Sequence, residues 1–210
     1  MNLSLNEVEA TARKAARGAG YPWGLAEEAG KATRWLCAQG LEGCAVLARL
    51  LARVDGATIS DLSPKVDELI WQAPGPHLCP LVTGAALSDR VSQFDHGAFR
   101  TGPIAEPCLL FPFVSYLARK VERVVEIEWR GGGAIFDAGQ MGLTGATSDF
   151  ADQVAIRFGG TLRSPQARCT RADPGSSAWD TLLAFAHRTY APATEESRLK
   201  GAGAEMGGSE

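Results

Sequence analysis

Apolar residues recur at helical spacing through the first third of the chain. The clearest face consists of four residues that lie three or four positions apart: Leu25, Ala29, Ala32 and Leu36. Similar patterns flank this face, so residues 1–56 are predicted to form three helices. Ser4 and Glu7 have the spacing of a capping box at the start of the first helix. Gly18 is predicted to end that helix in a left-handed conformation.

The pattern changes to strict alternation in the second half of the chain. The segment VERVVEIEW alternates apolar and acidic residues, a glycine-rich turn follows, and AIFDAG returns, which is typical of a β-hairpin. Residues 153–158 alternate again, and residues 161–171 are predicted as a further strand. A last helix over residues 179–189 is expected to cover this meander of three or four strands.

These elements together predict an α+β fold. An N-terminal α-helical layer is expected to pack with an antiparallel three- or four-stranded meander and a C-terminal helix, in one domain over residues 1–189. The polar, glycine-rich tail at residues 190–210 is expected to be partly disordered. Alternatively, Tyr190 and Pro192 anchor the tail on the body of the protein, on a partner subunit or in a homo-oligomer.

Composition and charge exclude several classes of protein. The formal net charge is -3 and the cations are scattered, so a nucleic-acid-binding surface is not expected. The longest uncharged apolar run covers residues 107–118, which is too short to span a bilayer. The start MNLSLNEVEA lacks the cationic flank and apolar stretch of a signal peptide. We therefore expect a cytoplasmic protein that does not bind membranes.

The segment VSQFDHGAFRTGPIAEP, at residues 91–107, places an acid, a base and a cation on one loop. His96 has the ordinary pKa of a general acid or base, and Asp95 is placed to orient it, so both are candidate catalytic residues. Arg100 is a candidate for holding a substrate carboxylate. The alternatives are a surface loop histidine and an ordinary salt bridge.

The aromatic loop GAGYPWG provides two further substrate-binding candidates, Tyr21 and Trp23, at the entry of the second helix. A helix N-terminus can receive an anion, but Glu27 and Glu28 already occupy the first turn. Trp23 is alternatively a core anchor. Glu27 and Lys31 have the spacing of an ion pair on the surface of this helix.

Five cysteines without a CxxC motif do not suggest a disulfide framework. Cys37 and Cys44 are expected to be small buried residues on helices. His77 and Cys79 form an H-x-C pair, but no other residues have the spacing needed to complete a metal site or a cysteine nucleophile. We therefore predict neither a metal nor a cofactor.

The opening LSLNEVEATARKAARGAGYPWGLAEEAGKATRWL and the tail segment TYAPATEESRLKGAGA resemble an uncharacterised family of bacterial proteins, which implies no assigned activity. The first forty residues also resemble the N-terminal helical pair of malate and L-lactate dehydrogenase-like oxidoreductases. That family continues into a segment with a catalytic histidine. Here the segment is LEGCAVL, without histidine, so we interpret this second likeness as helical coincidence.

Two functions from different classes are consistent with these features. The first is a small metabolic enzyme that acts on a polar or anionic small molecule at the loop of Asp95, His96 and Arg100. The second is a non-catalytic accessory subunit or structural homo-oligomer, which would use the apolar segment at residues 109–117 and the tail. A cavity that contains His96 and Arg100 together would favour the enzyme.

Overall fold

A computed structural model of the chain describes residues 1–66, 70–91 and 98–190. These residues form six α-helices: α1 Leu5–Gly18, α2 Trp23–Ala38, α3 Gly43–Val54, α4 Pro80–Asp89, α5 Phe111–Val121 and α6 Ser176–His187. They also form ten strands: β1 Leu3–Ser4, β2 Ile70–Trp71, β3 Phe99–Thr101, β4 Ile104–Ala105, β5 Val125–Trp129, β6 Gly132–Asp137, β7 Gln140–Leu143, β8 Phe150–Ala151, β9 Val154–Phe158 and β10 Arg171–Ala172. Two 3-10 helices lie at Ile59–Leu62 and Pro107–Leu110. The predicted α+β class is confirmed.

The predicted capping box is present at the start of α1. The backbone amide of Glu7 donates to Ser4 Oγ at 3.2 Å, and the backbone amide of Ser4 donates to Glu7 Oε2 at 2.8 Å. These two bonds satisfy amides that a helix N-terminus otherwise leaves free. The same bonds hold the pKa of the Glu7 carboxyl below its ordinary value.

The helices of the N-terminal part pack closely because their contact faces are made of small residues. α1 lies along α2 and also contacts α6, with alanines on its buried face. The predicted left-handed cap at Gly18 is wrong, because the helix includes Gly18 and the positive φ occurs at Gly20. Gly18 instead allows close packing, since a Cβ there would lie 1.8 Å from the carbonyl oxygen of Phe185 on α6.

Six strands form the main sheet, in the order β2-β3-β9-β5-β6-β7. β2 and β3 are parallel, and the other neighbours are antiparallel. The predicted alternation is confirmed in β5, where Val125, Ile127 and Trp129 are buried and the two glutamates between them are partly exposed. α5 packs on β5 and β6 and covers this face.

The strand predicted over residues 161–171 is wrong. Only its last residue is in a strand, in the short pair between β10 and β1. The segment follows Gly159 and Gly160, which both have positive φ, and it contains Pro165, which cannot donate to a sheet ladder.

The apolar segment at residues 107–121 folds as the second 3-10 helix followed by α5, and Pro112 lies in the first turn of α5. Most of its large apolar side chains are buried in the core of the chain. Within the described part of the chain, no helix combines the length and the apolar character needed to cross a membrane.

Candidate functional site

Three helices enclose a groove of about 550 Å³ on one side of the helical part. Each helix contributes residues from one face, three or four positions apart, as side chains on the same side of a helix must be. The groove is lined by Glu28, Lys31, Ala32 and Trp35 from α2, Ala85, Ser88 and Asp89 from α4, and Pro112, Phe113, Tyr116 and Arg119 from α5.

Three aromatic side chains form the apolar part of the groove. Phe113 is almost fully buried and packs directly against α4. The approach is so close that a Cβ at Gly84 would lie only 2.2 Å from the ring of Phe113. Trp35 is half-buried, with its ring centroid 6.2 Å from that of the buried Phe136. Tyr116 is 40% exposed. The groove therefore offers a packed floor and an accessible aromatic wall.

Two of the four charged residues of the groove pair with each other. Lys31 donates to Glu28 at 2.7 Å, and this hydrogen bond raises the pKa of Lys31. The sequence predicted Glu27 as the partner of Lys31; the ion pair is instead formed with Glu28, three residues away. Asp89 and Arg119 have no salt bridge within residues 1–66, 70–91 and 98–190.

This arrangement has the composition of a small-molecule site. Such sites combine apolar walls with a few polar groups that fix the orientation of the ligand. Arg119 can give two parallel hydrogen bonds to a carboxylate, sulfonate or phosphate. Asp89 lies in the last turn of α4, where the helix dipole is negative, so it favours a hydrogen-bond donor.

Of the five candidate site residues, only Arg100, Tyr21 and Trp23 lie within the described residues, and they occupy different environments. Asp95 and His96 lie outside the described residues. Arg100 is an exposed residue of β3, opposite Ile70 on one side and Ala155 on the other.

Tyr21 and Trp23 also occupy different environments. Tyr21 is fully buried, and its hydroxyl lies 3.2 Å from the sulfur of Cys79. Trp23 is 67% exposed, and the guanidinium of Arg17 stacks 4.6 Å from the centroid of its ring. Substrate binding by Tyr21 and Trp23 stays a prediction.

The H-x-C pair does not form a dyad. The ring of His77 packs edge-on against Phe150, whereas Cys79 is fully buried against Tyr21. Burial raises the pKa of the Cys79 thiol, which disfavours the nucleophilic thiolate. Among the residues described, no group of three or more His, Cys, Asp and Glu side chains is arranged to hold a metal ion.

An ion pair between a half-exposed arginine and a buried glutamate joins α3 to the segment between β4 and the second 3-10 helix. Arg49 donates to both carboxylate oxygens of Glu106, at 2.7 and 2.8 Å. Glu106 is fully buried and has a left-handed backbone with φ of 45°. Burial raises the pKa of the Glu106 carboxyl, and the hydrogen bonds from Arg49 oppose this shift. Because Arg49 and Glu106 are 57 residues apart in sequence, we assign this pair to holding the fold together.

The groove was missed by the sequence analysis, although one signal for it exists. Pro112, Tyr116 and Arg119 lie four and three residues apart, on one face of α5. An aromatic and a cation on this face indicate that the face is not fully buried.

Residues 3–79 match the model of a family described as a protein of unknown function, DUF3726. This part of the chain is similar to that family. The resemblance to an uncharacterised family is thereby confirmed, and it carries no activity. The matched segment contains α1, α2 and α3, and so the α2 side of the groove, whereas α4 and α5 follow it. No curated protein matches the chain.

Proposed function

We propose that this protein binds a small amphipathic anion in the groove between α2, α4 and α5. The observation that carries the proposal is the combination of three aromatic side chains with a cation, Arg119, that has no salt bridge in the described part of the chain. This proposal agrees with the small-molecule function expected from the sequence and moves the binding site to other residues.

The lining residues define the chemistry of the ligand. A groove of about 550 Å³ falls in the size range of small-molecule sites. Trp35 and Tyr116 favour a planar or aromatic body, and Arg119 favours an acidic group at one end. Asp89 favours a hydrogen-bond donor on the side of the ligand that faces α4. Glu28 and Lys31 neutralise each other and add little selectivity.

Catalysis by His96 and Asp95 stays a prediction, because both residues lie outside the described part of the chain.

The alternative of an accessory subunit or homo-oligomer also stays a prediction. One of its supports is lost, since the apolar side chains of residues 109–117 are largely buried within this chain. Its other support is the tail, and residues 191–210 are outside the described residues.

The proposal can be tested with two fluorescent probes that differ by one acidic group. The anionic probe is 1-anilinonaphthalene-8-sulfonate, and N-phenyl-1-naphthylamine is its neutral counterpart. Each is titrated into folded wild-type protein and the Arg119→Gln variant. We expect the variant to bind the anionic probe about tenfold more weakly, as expected for the loss of a charged hydrogen bond. Its affinity for the neutral probe should not change.

Lys120→Gln is the matched control, since it removes the same charge from the next position on α5, outside the groove lining. It should leave both affinities unchanged. Tyr116→Ala should weaken both probes, because it removes part of the aromatic wall. Equal effects of Arg119→Gln and Lys120→Gln on the anionic probe would contradict the proposal, as would tight binding of both probes to Tyr116→Ala.

A further inference from the structure

Two cysteines lie where α2 ends and α3 begins, and both line the same cavity. Cys37 lies in the last turn of α2, and Cys44 is the second residue of α3. The connection is short, and Gly40 has a left-handed φ of 73°. Gly43 allows α3 to start directly on α2, because a Cβ there would lie 2.9 Å from the Cys37 sulfur and 2.5 Å from the Thr33 carbonyl oxygen.

The sulfur of Cys37 packs against the start of α3, next to Gly43. The backbone amide of Gly43 donates to the carbonyl oxygen of Leu41 at 2.8 Å. The first turn of α3 places the positive end of the helix dipole beside Cys37. The hydrogen bond from Cys44 is the largest of the effects that lower the pKa of Cys37, and burial opposes them. The pKa of Cys44 is raised, since its thiol donates to Cys37.

The pair is accessible from a cavity. Cys37 and Cys44 line a cavity of about 230 Å³ together with the exposed Cys169. Cys169 is held there by its backbone amide, which donates to the carbonyl oxygen of Ala38 at 2.9 Å. Cys37 is only 6% exposed, so a reagent that reaches its sulfur must be small. All five cysteines are free thiols.

We propose that Cys37 and Cys44 form a peroxide-reactive thiol pair, with Cys37 as the attacking sulfur and Cys44 as the resolving thiol. This proposal is independent of the ligand groove, which none of these three cysteines lines. Its geometric basis is that both thiols line one small cavity, with the Cys37 sulfur packed against the start of α3.

The reaction balances with hydrogen peroxide as the oxidant. The Cys37 thiolate attacks one peroxide oxygen, an S–O bond forms, and the O–O bond breaks to release hydroxide, which takes up a proton to become water. Cys44 then gives up its proton, attacks the sulfenic acid of Cys37 and releases a second water as the S–S bond forms. Two thiols are oxidised to one disulfide, and one peroxide is reduced to two waters.

Two other cysteines provide an internal comparison. Cys79 and Cys108 are fully buried or nearly so, and burial raises the pKa of each thiol, for Cys108 to about 11. Neither has a second cysteine in contact that could resolve a sulfenic acid. We expect both to stay reduced at peroxide concentrations that oxidise Cys37.

The test is treatment of the folded full chain with hydrogen peroxide, followed by alkylation and peptide mass spectrometry. Trypsin releases both cysteines on one peptide, residues 35–49, since the flanking basic residues are Arg34 and Arg49. Cleavage after Glu42 then separates the two cysteines unless a disulfide joins them. We expect a linked pair that dithiothreitol separates, formed at least about tenfold faster than any oxidation of Cys79.

Single serine variants distinguish the roles of the three thiols. In Cys37→Ser, the four remaining cysteines should be oxidised more slowly than Cys37 is in the wild type. In Cys44→Ser, Cys37 should accumulate as sulfenic and then sulfinic acid. In Cys169→Ser, the Cys37–Cys44 disulfide should form as in wild type. The proposal is overturned if Cys37 stays reduced, if it pairs with Cys169 instead, or if Cys79 is oxidised equally fast.

Discussion

Replacing Arg49 with methionine should destabilise the fold strongly, because it leaves a carboxylate buried without its cation. Methionine retains much of the length of the arginine side chain and removes its donors. In the wild type, both oxygens of Glu106 accept hydrogen bonds from Arg49, and the Glu106 side chain is 0% exposed. The variant must therefore either keep a buried charge unpaired or bind a proton at Glu106.

The magnitude follows from the exposure of the two partners. Removal of one partner from a fully buried ion pair costs about 3–5 kcal/mol. The Arg49 side chain is 48% exposed, so water already reaches its guanidinium and the lower end of that range applies. We expect a loss of about 3 kcal/mol in the free energy of unfolding at neutral pH. For a domain of this size, this corresponds to a fall of roughly 6–12 °C in melting temperature.

The loss should depend on pH in a defined direction. Burial raises the pKa of Glu106 in the folded wild type, and Arg49 limits that rise. Without Arg49 the folded pKa moves further above the unfolded value of about 4.3. The folded variant then binds the proton more tightly than the unfolded chain does. The contribution of Glu106 protonation to the variant's free energy of unfolding is therefore fully present below the unfolded pKa. It is lost as pH rises through the folded pKa.

Urea unfolding at pH 5 and pH 7.5 measures both effects. The matched control is Arg188→Met, because Arg188 also donates to both oxygens of a carboxylate, with one bond at 2.6 Å and the other at 2.9 Å. Its partner Asp55 is 40% exposed, so only a small loss is expected there. The reasoning is refuted if the two variants lose similar stability, or if the Arg49→Met deficit is the same at both pH values.

Three further substitutions test the packing and the backbone. Gly84→Ala places a methyl group 2.2 Å from the ring of Phe113, so urea unfolding should show a loss of about 1–3 kcal/mol, and an unchanged midpoint would contradict the close approach of α4. Tyr21→Phe removes the hydroxyl next to Cys79 and should cost about 1 kcal/mol, with a native near-ultraviolet spectrum as the check on packing. Glu122→Gly should stabilise the protein by about 0.5–1 kcal/mol, because Glu122 ends α5 with a φ of 53°; a lower melting temperature would show that its side chain matters more than its backbone.

The elements that could be predicted well from the sequence are those that depend on local patterns of apolar and polar residues. Helical spacing identified the N-terminal helices, and the capping box at Ser4 fixed the start of the first. Alternation identified β5, β6 and β9, but it gave no order of strands, and β9 pairs with β5 rather than following β7 in the sheet. β2 and β3 have only two and three residues, which is too short for any periodicity to show.

The candidate site was harder to predict because it depends on distant helices. Trp35 and Tyr116 belong to α2 and α5, and nothing local indicates that they share a groove. Arg119 has the appearance of an ordinary surface residue until its neighbours are known. The thiol pair is different, since Cys37 and Cys44 were correctly predicted to be buried on helices. Their contact depends on a turn in which Gly40 and Gly43 permit two helices to meet.

The most direct test of the groove as a binding site is to fill it. Ala85 lines the groove from α4, and Ala85→Trp would place a bulky side chain there without changing any charge. Leu183→Trp, on the partly exposed surface of α6, is the matched control. Titration with 1-anilinonaphthalene-8-sulfonate should show no saturable binding to folded Ala85→Trp and wild-type affinity in Leu183→Trp. Wild-type affinity in a folded Ala85→Trp variant would contradict the assignment of the groove.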